Sequence, residues 1–284
     1  MEHLLFYPLW GQILLVLLIF CLPSVLGLYL VRRLVPLERL EENHEVAGFT
    51  FGVLGAFYGL LLAFVIVAAW ERFDLASQET QKEAVSLAEL YRLTTELRDP
   101  ARAEIHRDIR QYIANLEDYD WPAMAHSRYE FSQARANSLP IWHLISSYKA
   151  TNERESLVLD KSLDQLDQIT DSGADRDLFY AESLPTMVWL IIYLGGIIVI
   201  AFSYFFGLKA FKSQALMVAI FSGLLGLTIL AVLELAHPYQ GRQTVSIIPM
   251  RHALLQIDAI DAQQDGANHS TQSQAQPQLS SPPS

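Results

Sequence analysis

Apolar residues are concentrated in four long runs along the 284-residue chain. The runs cover about residues 9–31, 48–70, 187–208 and 215–235. A helix needs about 20 consecutive apolar residues to cross the hydrocarbon core of a bilayer, and each run meets that length. The pattern therefore predicts an all-α integral membrane protein with four transmembrane helices.

The spacing of the runs predicts how these helices pair. Residues 32–47 join the first two runs, and residues 209–214 join the last two. Because short connections place helices side by side and antiparallel, we expect two transmembrane hairpins. Pro23 and Gly27 interrupt the first run, so we expect a kink or a local break near Leu22.

The segment between the hairpins, residues 71–186, has a helical pattern. No glycine occurs from Glu71 until Gly173, and apolar residues recur at helical intervals. Alternating β-branched runs with turn dipeptides, the signature of strands, are absent from it. We therefore predict a helical-bundle domain inserted between the second and third transmembrane helices. The second helix is expected to continue out of the bilayer to about Leu97.

Local signals divide this domain into separate helices. Asn152, with Glu155 three residues later, resembles a capping box and predicts a helix start. We expect Gly173 to end that helix, because glycine is the usual residue after a helix C-terminus. Trp121-Pro122 is expected to break an earlier helix.

The composition changes again near residue 258. Residues 258–284 are rich in Gln, Ser and Pro and contain no aromatic residue, so we expect them to be disordered. The expected organisation is a first hairpin in 1–70, an acidic helical soluble domain in 71–186, a second hairpin with a post-helix segment in 187–257, and this tail.

The net charge of the chain limits the kinds of partner that it can bind. The formal net charge is −11, which argues against nucleic acid. Between Glu71 and Glu182 there are 13 Lys and Arg against 22 Asp and Glu, so the imbalance belongs mainly to the central domain. Basic residues are equally numerous on the two membrane faces, but they are denser in the short loops. That density favours short loops in the cytoplasm and leaves the orientation open.

Enzymatic motifs are missing from the chain. It contains no phosphate-binding glycine loop, no zinc-protease motif and no nucleophile elbow. The single cysteine, Cys21, cannot form a disulfide framework, and no two of the eight histidines have helical metal-ligand spacing. We therefore expect no enzyme activity, no cofactor and no bound metal.

Charged residues near the ends of the apolar runs are candidate functional residues. Glu71 and Arg72 follow the second run, and Glu234 and His237 lie at the end of the fourth. Because ionisable groups at membrane depth are costly, such residues either reach water as interfacial anchors or line an ion pathway. Glu234 could also pair with Arg72 or with Arg242.

Glycines in the second run form a second candidate site. At about 100° per residue, five small residues fall within roughly 80° of one helix face. They are Gly48, Gly52, Gly55, Gly59 and Ala63. This glycine stripe allows close packing of another helix, or it gives width to a pore. Glycines of the third and fourth runs were candidate packing partners for it: Gly195, Gly196, Gly223 and Gly226.

Two segments of the sequence carry a family resemblance. They are the second run with its exit, EVAGFTFGVLGAFYGLLLAFVIVAAWERF, and the later SQALMVAIFSGLLGLTILAVLELAHPYQG. Both resemble the bacterial bestrophin-like membrane family of unknown function. The resemblance covers about residues 5–257. It implies kinship to bestrophins, which are oligomeric anion channels with four membrane helices per subunit and helical cytosolic domains. It also implies that the central domain and the termini are cytosolic. The aromatic neck motif and the acidic calcium clasp of animal bestrophins are not found here.

Two functions from different classes fit these observations. The first is an oligomeric bestrophin-like ion channel or ion-pathway protein in the bacterial cytoplasmic (inner) membrane. The alternative is a non-catalytic membrane scaffold or sensor whose acidic helical domain binds a protein partner. Either function predicts a multi-pass protein in a lipid bilayer, and the first predicts a homo-oligomer.

Overall fold

The computed structural model describes residues 5–36, 44–130, 132–205 and 210–275. Regular secondary structure within these ranges is entirely helical, which confirms the all-α class. The α-helices are α1 (Leu9–Leu34), α2 (His44–Thr94), α3 (Ala101–Asn115), α4 (Trp121–Ala125), α5 (Ser138–Ser147), α6 (Glu153–Ala181), α7 (Thr186–Ser203), α8 (Phe211–Ala236) and α9 (Ile248–Ala275). A π-helical turn, Leu116–Asp120, precedes α4, and a 3₁₀ turn, Ala134–Asn137, precedes α5.

Four helical stretches in the described ranges are long and apolar enough to cross a membrane. They are Leu9–Leu34, Ala47–Thr94, Glu153–Ser203 and Phe211–Ala236. Their apolar parts coincide with the four predicted runs, so the number and placement of candidate membrane helices are confirmed. The break expected near Leu22 does not occur, since α1 runs through Pro23 without interruption.

Contacts divide the chain into two compact units. The first unit is Met1–Ala76, Met124–Arg128 and Leu178–Val245, and the second is Ser77–Ala123, Tyr129–Asp177 and Ser246–Ser284. The first unit contains α1, α7, α8 and the apolar part of α2. The second contains the rest of α2 with α3, α5, α9 and most of α6.

One face of α2 packs with α7 and α8 in the core of the first unit. The buried core residues are Tyr58, Leu62 and Ala69 of α2, Ile192 and Val199 of α7, and Leu225, Ile229 and Val232 of α8. The Tyr58 hydroxyl donates a hydrogen bond to the backbone carbonyl of Ile192. This bond gives the buried hydroxyl the polar partner that it needs in an apolar core.

Helix α1 packs on α8 by close approach at two glycines. A Cβ atom added at Gly226 would lie 2.8 Å from the Phe20 ring, and one added at Gly223 would lie 3.1 Å from the Leu17 side chain. Small residues let membrane helices approach closely where no hydrophobic force drives their association. These glycines therefore accommodate large side chains of α1.

The second unit confirms one local prediction and corrects another. The backbone N–H of Glu155 donates to the Asn152 side chain at 2.8 Å, and α6 begins at Glu153 as the capping pattern predicts. Gly173 does not end this helix, which continues to Ala181. A Cβ atom at Gly173 would lie 3.4 Å from the Tyr112 hydroxyl, which is an ordinary contact distance, so this glycine occupies a position inside the helix that a small side chain would also fit.

The expected break at Trp121-Pro122 is also wrong. The π-helical turn Leu116–Asp120 leads directly into α4, Trp121–Ala125. Pro122 lacks the N–H that an uninterrupted helix would use, and the π-helical turn lies directly before it. The chain therefore stays helical from α3 through α4.

The predicted start of disorder at residue 258 is too early. Helix α9 continues to Ala275, while residues 276–284 lie outside the described ranges. Arg110 of α3 donates to Asp258 and to Asp261, each at 2.7 Å, and the Tyr91 hydroxyl donates to Asp261 at 2.7 Å. These contacts connect α9 to distant parts of the sequence, which the composition of the tail did not indicate.

An ion pair lies completely buried in the second unit. The side chains of Arg176 and Glu83 are both 0% exposed, and Arg176 donates to the Glu83 carboxylate. The Tyr112 hydroxyl donates to the same carboxylate at 2.6 Å. Burial, together with the adjacent Glu83 charge, raises the pKa of Tyr112, so the phenol stays protonated and can donate.

Removing one partner of this pair should destabilise the protein strongly. Arg176→Met leaves a buried carboxylate without its cation, and we expect the free energy of unfolding to fall by about 3–5 kcal/mol. The matched control on the same helix is Arg154→Met. Arg154 is 76% exposed in its pair with Glu96, so its loss should change the free energy of unfolding little. Chemical denaturation of the full chain in detergent measures both. Equal losses in the two variants would contradict the assignment.

His106 should make stability depend on pH. Its ring stacks on Tyr91 with 3.7 Å between centroids, and burial lowers the pKa of His106 to about 4, although Asp261 nearby opposes this. The unfolded value is about 6.5, so the unfolded chain binds more protons between these values. The contribution of His106 to the free energy of unfolding is therefore fully present above about pH 6.5 and is lost as the pH falls towards about 4.

His106→Phe keeps an aromatic ring against Tyr91 but cannot take up a proton. We expect this variant to lose less stability than the parent chain when the pH is lowered from about 7 to about 5. Urea denaturation in detergent at the two pH values measures the difference. Identical losses in both proteins would show that His106 does not contribute to the dependence.

Candidate functional site

The glycine stripe of α2 is open within the chain. Gly52, Gly59 and Ala63 are exposed, and Gly48 and Gly55 are half-buried. A Cβ atom added at Gly52, Gly55 or Gly59 would meet no atom within 4 Å, the helix's own nearby backbone aside. Among the described residues, no other helix therefore occupies the space in front of these three glycines.

The glycines of α7 and α8 have other neighbours than the stripe. A Cβ atom at Gly195 would lie 2.4 Å from the Tyr58 ring, and one at Gly196 would lie 3.1 Å from Leu225. Gly223 and Gly226 face side chains of α1. The expectation that these glycines pack against the stripe is wrong, because Tyr58 on a neighbouring face of α2 makes the contact with α7.

Large aromatic residues occupy a further face of α2. Phe49, Phe57 and Phe64 are 78%, 71% and 68% exposed, and Trp70 at the end of the apolar run is exposed as well. The chain itself thus covers α2 along one face, through Tyr58 and its neighbours. Among the described residues, no helix covers the glycine stripe or this aromatic face, so both are available for contacts outside the protomer.

The two charged residues after the apolar run of α2 have different environments. Glu71 is exposed. Arg72 donates from Nη2 to the backbone carbonyls of Phe179, at 3.3 Å, and Glu182, at 2.5 Å. Its guanidinium also lies 5.2 Å from the centre of the Phe179 ring. Arg72 therefore fixes the chain that leads into α7.

The side chain of Glu234 forms no hydrogen bond of ordinary length with any described residue. Both of its carboxylate oxygens are buried, and neither has a partner there. Of the alternatives considered for Glu234, an ion pair with Arg72 or Arg242 does not form among the described residues.

His237 is buried directly after α8. Its Nδ1 atom lies 2.9 Å from the backbone carbonyl oxygen of Leu233, one turn earlier. The next aromatic residue, Tyr239, donates its hydroxyl to the backbone carbonyl of Ala76 at 2.8 Å. These bonds hold the post-helix segment against the first unit, so His237 has a structural role at the end of α8.

Sequence reasoning missed Gln12. Its side chain is 0% exposed, and Nε2 donates to the backbone carbonyls of Leu5, at 3.3 Å, and Tyr7, at 3.2 Å. The available signal was a single amide within an otherwise apolar run. In the described ranges, no group of three or more His, Cys, Asp or Glu side chains is arranged to hold a metal ion.

Comparison with known proteins gives the family. The model of the Bestrophin-like domain matches residues 18–250. No curated protein matches the chain.

Solved structures share the fold at low identity. A bacterial bestrophin homologue from Klebsiella pneumoniae is 14% identical, with a TM-score of 0.62 over 87% of this chain and 98% of that one. A single-substitution variant of a Klebsiella pneumoniae bestrophin homologue is 12% identical, with a TM-score of 0.64 over 87% and 97%. At such identity the likeness shows the fold alone, whereas the family model covers most of the chain. The chain belongs to the bestrophin-like family.

Proposed function

We propose that the chain forms a homo-oligomeric ion channel in the bacterial cytoplasmic membrane, with the glycine stripe of α2 facing a shared ion pathway. The family and the fold support a channel, because the structures with this fold include bacterial bestrophin homologues. The proposal assigns conduction to the oligomer, since no helix among the described residues covers the stripe at Gly52, Gly55 or Gly59.

The open stripe is the observation that carries this proposal. Glycine in a helix is about 1 kcal/mol less favourable than alanine, so a row of glycines is retained where a side chain would interfere. Among the described residues nothing interferes, because added Cβ atoms at Gly52, Gly55 and Gly59 meet no neighbour within 4 Å. The constraint on these positions must therefore come from outside the protomer, and a pathway that needs width supplies one.

The proposal includes an arrangement of the helices. Residues 1–70 and 187–257 form two transmembrane hairpins, and residues 71–186 form the soluble domain inserted between them. Short connections between consecutive membrane helices support this arrangement, in which α1 also packs on α8 of the other hairpin. The exposed aromatic face of α2, with Phe57 at its centre, then faces lipid or a neighbouring subunit.

A scaffold or sensor is the second candidate. The second unit has an open cavity of about 600 Å³, and most of the residues that line it have polar side chains. Its lining residues include Gln78, Gln81, Gln165 and Gln168. A protein partner bound there would favour this function, and it would leave purified protein without ion flux.

Ion flux through liposomes tests the channel and the stripe together. Gly55→Leu places a branched apolar side chain in the proposed pathway, and hydrophobic constrictions block conduction, so we expect flux to fall by about tenfold or more. The matched control is Ala68→Leu. Ala68 is exposed and lies nine residues from Gly59, about 180° around the helix.

The control variant should conduct like the parent chain. Equal losses in Gly55→Leu and Ala68→Leu would contradict the assignment of the stripe to the pathway. Absence of flux from the parent protein under varied voltage, pH and calcium would contradict the channel itself. Size-exclusion chromatography of both variants verifies that they assemble like the parent chain.

A further inference from the structure

An open cavity of about 360 Å³, here called the α1–α7 cavity, lies between membrane helices of the first unit. Its walls include Ile19 and Pro23 of α1 and Ile197 and Ala201 of α7, and Ile229 of α8 lines it as well. The four wall residues of α1 and α7 are exposed, so the cavity opens on the outside of the protomer. All three helices are apolar and long enough to span a membrane, so we expect the cavity to lie at membrane depth.

The chemistry of the lining favours hydrocarbon as the occupant. Ser24 and two tyrosines are the lining residues that carry a polar side-chain atom. The Ser24 hydroxyl donates to the Phe20 carbonyl of its own helix at 2.6 Å. Tyr193 stacks on Trp189, with 5.8 Å between the ring centres. Because apolar cavities do not retain water, hydrocarbon that enters this one restores the dispersion contacts of its walls.

Basic side chains lie at the end of α1. Arg33 is exposed, and its guanidinium lies 5.3 Å from the centre of the Tyr29 ring. The Tyr29 ring meets the Phe211 ring edge-on at 6.3 Å, and Arg32 lies 5.7 Å from the centre of the Phe211 ring. Lys212 follows with an exposed side chain. Neither α1 nor the first turn of α8 contains an acidic residue, so the charge here complements an anionic headgroup.

The distance from Arg33 to the cavity matches the thickness of one leaflet. Arg33 lies ten residues after Pro23, which is about 15 Å along a helix and about 80° around it. The hydrocarbon core of a bilayer is about 30 Å thick, so one leaflet is about 15 Å. Leu26 and Leu30 lie on the same side between these two residues and are exposed. A lipid with its headgroup at Arg33 can therefore place the end of an acyl chain at the depth of the cavity.

We propose that the surface between α1 and α7 binds one anionic phospholipid, whose phosphate lies at Arg33 and one of whose acyl chains ends in the α1–α7 cavity. The volume suits a small apolar occupant, since ligand cavities measure roughly 300–1,000 Å³. The proposal goes beyond ion conduction and does not depend on it. The competing occupant is a second copy of the chain, which would fill the cavity without a phosphate.

Photo-crosslinking of the full chain in lipid nanodiscs tests where the acyl chain ends. The probe is phosphatidylglycerol with a diazirine near the methyl end of one acyl chain. We expect labelling to concentrate on residues 19–24 and 197–201. Ala201→Phe places a ring in the cavity and should abolish most of this labelling. The matched control is Ala231→Phe, since Ala231 is exposed on α8 and does not line the cavity.

Native mass spectrometry of the full chain in detergent tests the headgroup. We compare the affinities for phosphatidylglycerol and for zwitterionic phosphatidylcholine with the same acyl chains. Arg33→Gln should lower the preference for phosphatidylglycerol by about fivefold, which is the expected contribution of one basic side chain at a membrane surface. The matched control is Arg242→Gln, which removes an exposed cation after α8 and should leave the preference unchanged.

The outcomes separate this site from bulk lipid, from a second copy and from the channel. Labelling spread evenly over the membrane helices, or protection of the cavity residues in the assembled protein, would overturn the proposal. Equal losses in Ala201→Phe and Ala231→Phe, or an unchanged preference in Arg33→Gln, would also overturn it. If Ala201→Phe fails to assemble, Ile197→Trp fills the same cavity and decides. Because neither measurement uses flux, the result stands whether or not the protein conducts ions.

Discussion

Contact between Tyr58 of α2 and the small residues of α7 determines which surface of the second membrane helix stays open. The ring lies against Gly195, and the hydroxyl donates to the Ile192 carbonyl. Since a helix buried on this face turns its other sides outward, the glycine stripe and the aromatic row are both left uncovered by the residues that the structure describes. The stripe is thus a surface for something outside the protomer, and the proposal of a shared pathway follows from that constraint.

Polar groups perform a different task in each unit. In the second unit, Glu83 and Arg176 are completely buried and hydrogen-bonded, with Tyr112 as a third member. In the first unit, the buried oxygens of the Glu234 carboxylate face no cation among the described residues. A buried charge that is paired with its counterion specifies packing, whereas a buried carboxylate without one is costly.

Features that depend on neighbouring residues were readable from the sequence. The apolar runs predict the four candidate membrane helices because the length of an apolar run determines whether a helix can cross a bilayer. Asn152 and Glu155 predict a helix start through one local hydrogen bond. The partners of the glycines were not readable, because helix pairing in a membrane depends on shape rather than on composition. Arg110 likewise contacts Asp258 and Asp261, which lie about 150 residues later in the chain. The composition of the tail could not indicate these contacts, so it placed the start of the disordered segment too early.

The central claim is that the stripe of α2 faces water on a shared axis. Single cysteines at Gly52, Gly59 and Ala68, each in a Cys21→Ala background, test it through reaction with a charged, membrane-impermeant thiol reagent. A thiol reacts as its water-exposed thiolate. The account predicts modification at Gly52 and Gly59 and protection at Ala68. Protection at all three positions, or modification at Ala68 alone, would contradict it.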